Sequence, residues 1–157
     1  MLTIKLAAAA AAGAGVFWLG WRKSRLLAAR VETAEALISA TGRIRALLKR
    51  KCASKSELLA ELPFENAENL DFSAETAVAD FLTESGFPFG EKETDEVCRF
   101  VLALGGGTLE EQLRLTDAFA DFWAETAENA RREKAEKGRL SLSLGGLGGI
   151  AAIIILA

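Results

Sequence analysis

Residues 22–51 read RKSRLLAARVETAEALISATGRIRALLKRK, an unbroken stretch without proline. Leu27, Val31, Ala34, Ile38, Ile44 and Leu48 fall at mostly three- and four-residue steps along it, the spacing that lines apolar side chains along one side of a helix. The stretch therefore predicts one helix of some 30 residues, about 45 Å long. The rest of the chain agrees with that reading. It is rich in Ala, Leu, Glu and Arg, and its 157 residues include two prolines, no tyrosine and no histidine. Straight-chain residues lose little freedom in a helix, and β-branched ones are scarce here, so the fold class is all-α.

Working outward, residues 6–21 carry no charge, and Leu2 and Ile4 lengthen this apolar run if Lys5 bends its ammonium back to an interface. Phe17, Trp18 and Trp21 stand beside Arg22, Lys23 and Arg25, the order expected of an aromatic belt and its cationic flank. A cleaved signal peptide is the competing reading. Against it, the small residues come first and the bulky ones last, the reverse of an apolar stretch leading to a small-residue cleavage site. At the other end, residues 140–157 form a second apolar run closing on Ile153, Ile154, Ile155 and Leu156. Its length as a helix is roughly 27 Å, close to the hydrocarbon thickness of a bilayer. Arg131, Arg132, Lys134, Lys137 and Arg139 precede it, so both runs carry their cations on the side facing the middle of the chain. By the positive-inside rule the expectation is a two-pass protein of the cell membrane. Its parts are a transmembrane helix over residues 1–21, a cytoplasmic helical bundle over 22–139 and a transmembrane helix over 140–157.

Small residues recur every fourth position in both runs, at Ala7, Ala11 and Gly15 and at Ser141, Gly145 and Gly149. In an alanine-rich run this spacing arises by chance. Glycine weakens a helix unless its missing side chain serves close packing, so Ser141, Gly145 and Gly149 are the expected helix-packing face in lipid.

Between the runs, Ser54 with Glu57 reads as a capping box before Leu58, Leu59 and Leu62, with a stop at Pro63. Residues 64–72 read as an acidic loop. Ser73 is expected to cap a helix through Val78, Phe81 and Leu82 to Gly86, and Phe87, Pro88, Phe89 and Gly90 form a turn with inward side chains. A further helix carries Val97, Phe100, Val101 and Leu104 and stops at Gly105, Gly106 and Gly107. Thr108 with Glu111 then opens a last long helix bearing Leu113, Leu115, Phe119, Phe122 and Trp123.

Charge is segregated along this path. Residues 22–55 are net +8, 56–130 net −15 and 131–139 net +3, within a chain of net −3. The cations flanking the apolar runs suit an anionic leaflet. Arg43, Arg45, Lys49, Arg50 and Lys51 stand too far along the first helix for that, since screening limits such attraction to about 8 Å. Two readings remain for them. They pair with the acidic segments folded against their own helix and favour its negative end, or they form a docking surface at the membrane-remote end of the domain. Nucleic acid is a poor partner for that surface, because the chain is acidic overall and no aromatic residues interleave with the cluster.

Chemistry is sparse. Without histidine no imidazole base and no Ser-His or Cys-His arrangement exists, and Cys52 and Cys98 lie too far apart for a CxxC motif. Both cysteines read as small apolar residues. The triple glycine before Thr108 lacks the lysine and the preceding strand of a phosphate loop, so it reads as a helix stop followed by a cap. No enzyme, cofactor, metal or small-molecule substrate is expected.

Taken in order, Leu104 and Gly105, the capping position at Thr108 with Gln112, a long acidic-to-basic helix, and Ser143, Leu144, Gly145, Gly146, Leu147, Gly148 and Gly149 before an aliphatic tail resemble the stage III sporulation protein AB family of endospore-forming bacteria. The likeness covers the whole chain in layout and its C-terminal third in motif. The chain departs from the family's pattern at Thr108, where an acidic residue is usual, and in the polar turn at residues 51–56. The resemblance implies a component of the channel-like complex between mother cell and forespore. It also implies a helical domain similar to the cytoplasmic domains of type II secretion platform proteins, exposed on the mother-cell side. The implied partners are a cytoplasmic ATPase, stage III sporulation protein AA, and the other membrane proteins of that complex. The alternative from another functional class is a stand-alone two-pass adaptor or sensor, which a neighbouring kinase gene rather than an ATPase gene would favour.

The topology has a direct test in intact cells. With the native cysteines replaced, a cysteine introduced in the turn at residues 85–90 is expected to stay unlabelled by an impermeant maleimide until the cells are opened. Ready labelling before lysis would overturn the two-pass arrangement.

Overall fold

The computed structural model describes residues 18, 21–50, 53–65, 67 and 74–137 with their side chains; the first and last helices extend beyond these as backbone. The α-helices described follow in chain order as α1 (Leu2–Arg50), α2 (Lys55–Leu59), α3 (Glu75–Glu84), α4 (Glu91–Ala103) and α5 (Leu109–Leu156). No strand occurs among the described residues. The chain is all-helical, as its composition requires.

It divides into two compact units. The first comprises Met1–Ala29 and Asn129–Ala157, the second Arg30–Glu128. Among the described residues no helix is long and apolar enough to cross a membrane. Apart from Trp18 and Trp21, the apolar runs at 6–21 and 140–157 lie outside the described residues, as do the packing positions Ser141, Gly145 and Gly149. Within the first unit the described side chains show Arg22 over the Trp18 ring at 5.7 Å and Arg25 over Trp21 at 4.9 Å, with both indoles more than half exposed. Each cation–π pair joins residues four apart on one helix face.

The second unit holds the main core. From α1 it takes Ala34, Leu37, Ala40 and Ile44, all fully buried, while Val31, Ile38 and Leu48 are half-buried. The stripe is thus turned toward Leu37 and Ala40, which the spacing argument passed over in favour of Ile38. On α5 the buried face runs Gln112, Thr116, Phe119, Trp123 and Ala127, steps of three and four that include two polar residues. Thr116 is satisfied because its Oγ1 donates to the Gln112 carbonyl at 2.8 Å. Thr41 on α1 does likewise toward Ile38, at 2.6 Å.

Aromatic rings join the elements. Phe100 of α4 stacks on Phe119 of α5, centroids 3.9 Å apart and 11° from parallel. Trp123 is fully buried and meets Phe87, Phe89, Phe119 and Phe122 edge to face at 5.1–6.0 Å. The residues of the Phe87–Phe89 turn therefore point inward as their composition predicts. That turn is also tied to α1, where Arg30 Nε donates to the Pro88 carbonyl at 2.8 Å and the guanidinium lies over Phe89.

The starts of α2 and α5 carry side-chain caps, whereas those of α3 and α4, at Ala74 and Gly90, do not. Ser54 accepts from the Glu57 amide while the Glu57 carboxylate accepts from the Ser54 amide, a reciprocal box. At α3 the capping position is Ala74, in extended backbone and without a side-chain cap, so the helix starts one residue beyond the arrangement expected for Ser73, which lies outside the described residues. Cys98 is buried in the core beneath α3, its thiol 3.8 Å from the Glu75 carbonyl. Burial, with Glu75 and Asp95 nearby, pushes its pKa above the ordinary thiol value.

Trp123 Nε1 has no hydrogen-bond partner among the described residues, since its surroundings are rings rather than carbonyls. Trp123→Ala is accordingly expected to cost about 3–5 kcal/mol by opening a large cavity. Trp123→Phe keeps most of the contact and removes an unpaired donor, so it should cost distinctly less. Thermal unfolding of both variants followed by circular dichroism decides this, and equal losses would refute the packing account.

Candidate functional site

Gln112 is the residue that organises one end of the second unit. Its Oε1 accepts from the Gly105 amide at 2.9 Å, and its Nε2 donates to the Ala103 carbonyl at 3.0 Å and to the Gly106 carbonyl. The side chain is itself buried and reaches out to the backbone of an exposed turn. The turn between α4 and α5 needs such a clasp. Gly105 and Gly107 both hold positive φ, at 82° and 76°, a conformation that glycine reaches without strain. A β-carbon on Gly105 would also meet the Lys55 side chain at 3.1 Å, so two constraints exclude a larger residue there.

The start of α5 is fixed next. The Thr108 amide donates to Glu111 Oε2 at 2.7 Å, and the Glu111 amide donates to Thr108 Oγ1 at 3.3 Å, completing the expected capping box. The Thr108 amide, and then its hydroxyl, hold the Glu111 carboxyl below the usual carboxylate range. Leu104, the last member of this turn, is buried in the core.

Around the clasp lies a groove of about 400 Å³. Leu48, Ala53, Leu58 and Leu109 supply its apolar walls, and Gly105, Gly107 and Gln112 supply the turn side. Leu109 stands 53% exposed at the first position of α5. Lys49 and Arg50, the last two residues of α1, line the remaining edge.

The five cations singled out from the sequence separate here. Arg43 pairs with Glu61, Nε to Oε2 at 2.6 Å, and its Nη2 donates to the Glu61 carbonyl at 2.8 Å. Arg45 pairs with Asp117 on α5 at 2.7 Å. Internal pairing thus accounts for these two, although both pairs are half-exposed and each contributes only about 0.2–1 kcal/mol. Lys49 and Arg50 make no ion pair with any described residue, and Lys51 lies outside the described residues. Of the motif residues, Gly105 and Gln112 line this groove, while Leu104 is buried in the core beside them in sequence. Leu144, Gly145, Leu147 and Gly149 lie outside the described residues. Reasoning from the sequence did not pick out Ala53, Leu58 and Leu109 as neighbours of Lys49 and Arg50. The available signal was Leu109 itself, an apolar residue in a first helical turn otherwise made acidic by Glu110 and Glu111.

Comparison with known families bears on this end of the molecule. The family model for stage III sporulation protein AB matches residues 48–157, which span α2 to α5 and begin at Leu48, on the groove wall. The chain belongs to the stage III sporulation protein AB family. Membership places the protein in sporulation, and the match takes in the Gln112 clasp, the groove and the long α5 together. No curated protein and no solved structure matches the chain.

The clasp predicts two outcomes. Gln112→Leu leaves the Gly105 amide and two carbonyls without partners and is expected to cost about 2–3 kcal/mol, read as a lowered thermal midpoint. Because the Glu111 pKa is lowered on folding, its stabilising share is complete above the ordinary carboxylate value and fades as pH falls through the lowered one. Glu111→Gln should therefore flatten the acid side of the stability-against-pH curve, and an unchanged acid limb would exclude the capping role.

Proposed function

We propose that this member of the stage III sporulation protein AB family is a non-enzymatic membrane component of the complex between mother cell and forespore, and that its helical domain receives a cytoplasmic ATPase. The observation that carries the docking half is the groove, which brings the family-like residues Gly105 and Gln112 together with Lys49 and Arg50, cations that form no ion pair among the described residues. A cationic edge beside a segment of net −15 gives the surface a direction. Such polarity raises encounter rates and selects partners more than it adds affinity.

The membrane half rests on the two apolar runs with inward-facing cations and on the exposed indoles of Trp18 and Trp21, each beneath an arginine. Indoles at a polar–apolar boundary, one edge wet and one buried, suit the interfacial zone of a bilayer. The other membrane proteins of the complex are then the partners of the spans, with Ser141, Gly145 and Gly149 as the close-packing face. The absence of histidine from the chain supports a scaffold over a catalyst.

Association of the full chain, in mild detergent, with a stage III sporulation protein AA-like ATPase tests the docking half. Lys49→Glu with Arg50→Glu is expected to slow association about tenfold and to weaken its salt dependence. Helical circular dichroism should be unchanged, because both side chains are exposed. Arg45→Glu, which breaks an internal pair with Asp117, should act mainly on stability. Association at the parental rate in the double variant would remove this end of the domain from the docking role.

A further inference from the structure

We propose that the groove between the end of α1, the start of α2 and the α4–α5 turn binds one apolar side chain of a partner protein, presented on a segment whose flanking residues are acidic. The proposal rests on the docking reading above and deepens it by naming the chemistry of what docks.

The walls decide the apolar part. Leu48, Ala53 and Leu58 come from two successive helices and the link between them, and Leu109 continues the surface outward, half-exposed. A large side chain exposed singly on a surface is ordinary. Leu109 differs in standing at the lip of a concave apolar site, where covering it would remove apolar area from water on both partners. The groove's volume of about 400 Å³ is ample for one apolar side chain.

The rim decides the charge. Among the described residues no carboxylate lines the groove, and the helix-start carboxylate of Glu111 is drawn back onto the Thr108 amide. Lys49 and Arg50 are unpaired among the described residues, whereas their neighbours Arg43 and Arg45 are engaged. Two cations on one edge of a groove with apolar walls, neither paired among the described residues, fit carboxylates flanking an apolar anchor. A bare phosphate or carboxylate would meet the cations and leave the walls wet.

The turn decides the mode of contact. The Gly105 amide and the Ala103 and Gly106 carbonyls are already bonded to Gln112, so these groups are not open to strand addition by a partner backbone. Side-chain insertion remains.

The test uses the full chain in mild detergent and fluorescein-labelled peptides read by anisotropy. Asp-Glu-Leu-Glu-Asp is the probe. Its amide analogue Asn-Gln-Leu-Gln-Asn, and the form with serine in place of leucine, should each bind about tenfold more weakly. Lys49→Glu with Arg50→Glu should weaken the acidic probe by a similar factor and strengthen Lys-Arg-Leu-Arg-Lys, a gain that misfolding cannot mimic. Leu109→Ser should weaken both peptides. Equal binding of the acidic and amide peptides, or of the leucine and serine peptides, overturns the proposal. So does concentration-dependent self-association that the double variant abolishes, since the groove would then hold a second copy of this chain. The ATPase measurement separates the two readings. Loss of ATPase association in the double variant with no peptide binding keeps the docking end and rejects the anchor. Peptide binding by a chain that does not associate with the ATPase keeps the anchor and rejects the ATPase.

Discussion

The buried amide of Gln112 is the constraint on which one whole end of the second unit depends. A turn of three consecutive glycines has more unfolded freedom to lose than any other tripeptide, and its exposed backbone groups are ordered only if the protein supplies partners. One side chain meets both needs by accepting from Gly105 and donating to Ala103 and Gly106. It sits on the core face of α5, one turn before Thr116 and two before Phe119, so the same helix that buries the aromatic seat also holds the turn. The turn between α4 and α5 is held by that placement, together with the Thr108–Glu111 box and the Phe100–Phe119 stack.

Electrostatics acts on top of this packing and does not create it. Arg43 and Arg45 neutralise Glu61 and Asp117 against α1, local pairs in half-exposed positions that contribute little to stability. Their effect is on distribution. With those two engaged, the uncompensated positive charge of the helix end is carried by Lys49 and Arg50, where the negative end of the α1 dipole also tolerates it. An acidic chain can thus present a small cationic edge without a cationic surface.

Much of this was legible in the sequence, because helices announce themselves by period and caps by chemistry. Ser54 with Glu57, Thr108 with Glu111, the glycine stop and the inward Phe87 and Phe89 all stand where residue type places them. What the sequence concealed is the outcome of competition between elements. Ile38 and Leu37 are equally apolar, and only the packing of α1 against the other helices turns Leu37 fully inward. Gln112 reads as a polar residue near a helix start, yet it is buried, because three backbone groups around it outweigh the cost of removing its amide from water. Likewise five cations in a row give no sign of which ones meet a carboxylate; that depends on Glu61 and Asp117 arriving from distant parts of the chain. Membership of the stage III sporulation protein AB family was legible from motif order, and the family model bears it out over residues 48–157.

Cys98 gives the fold a property unrelated to docking. Its thiol is buried beneath α3 and is held protonated by that burial and by the carboxylates of Glu75 and Asp95. Thiolate, not thiol, reacts with alkylating agents and disulfides, so the residue is doubly silent in the native state. It becomes reactive only when α3 lifts from α4. The rate at which Cys98 is consumed by a small electrophile therefore measures the opening of that helix pair, making the chain its own clock for local unfolding.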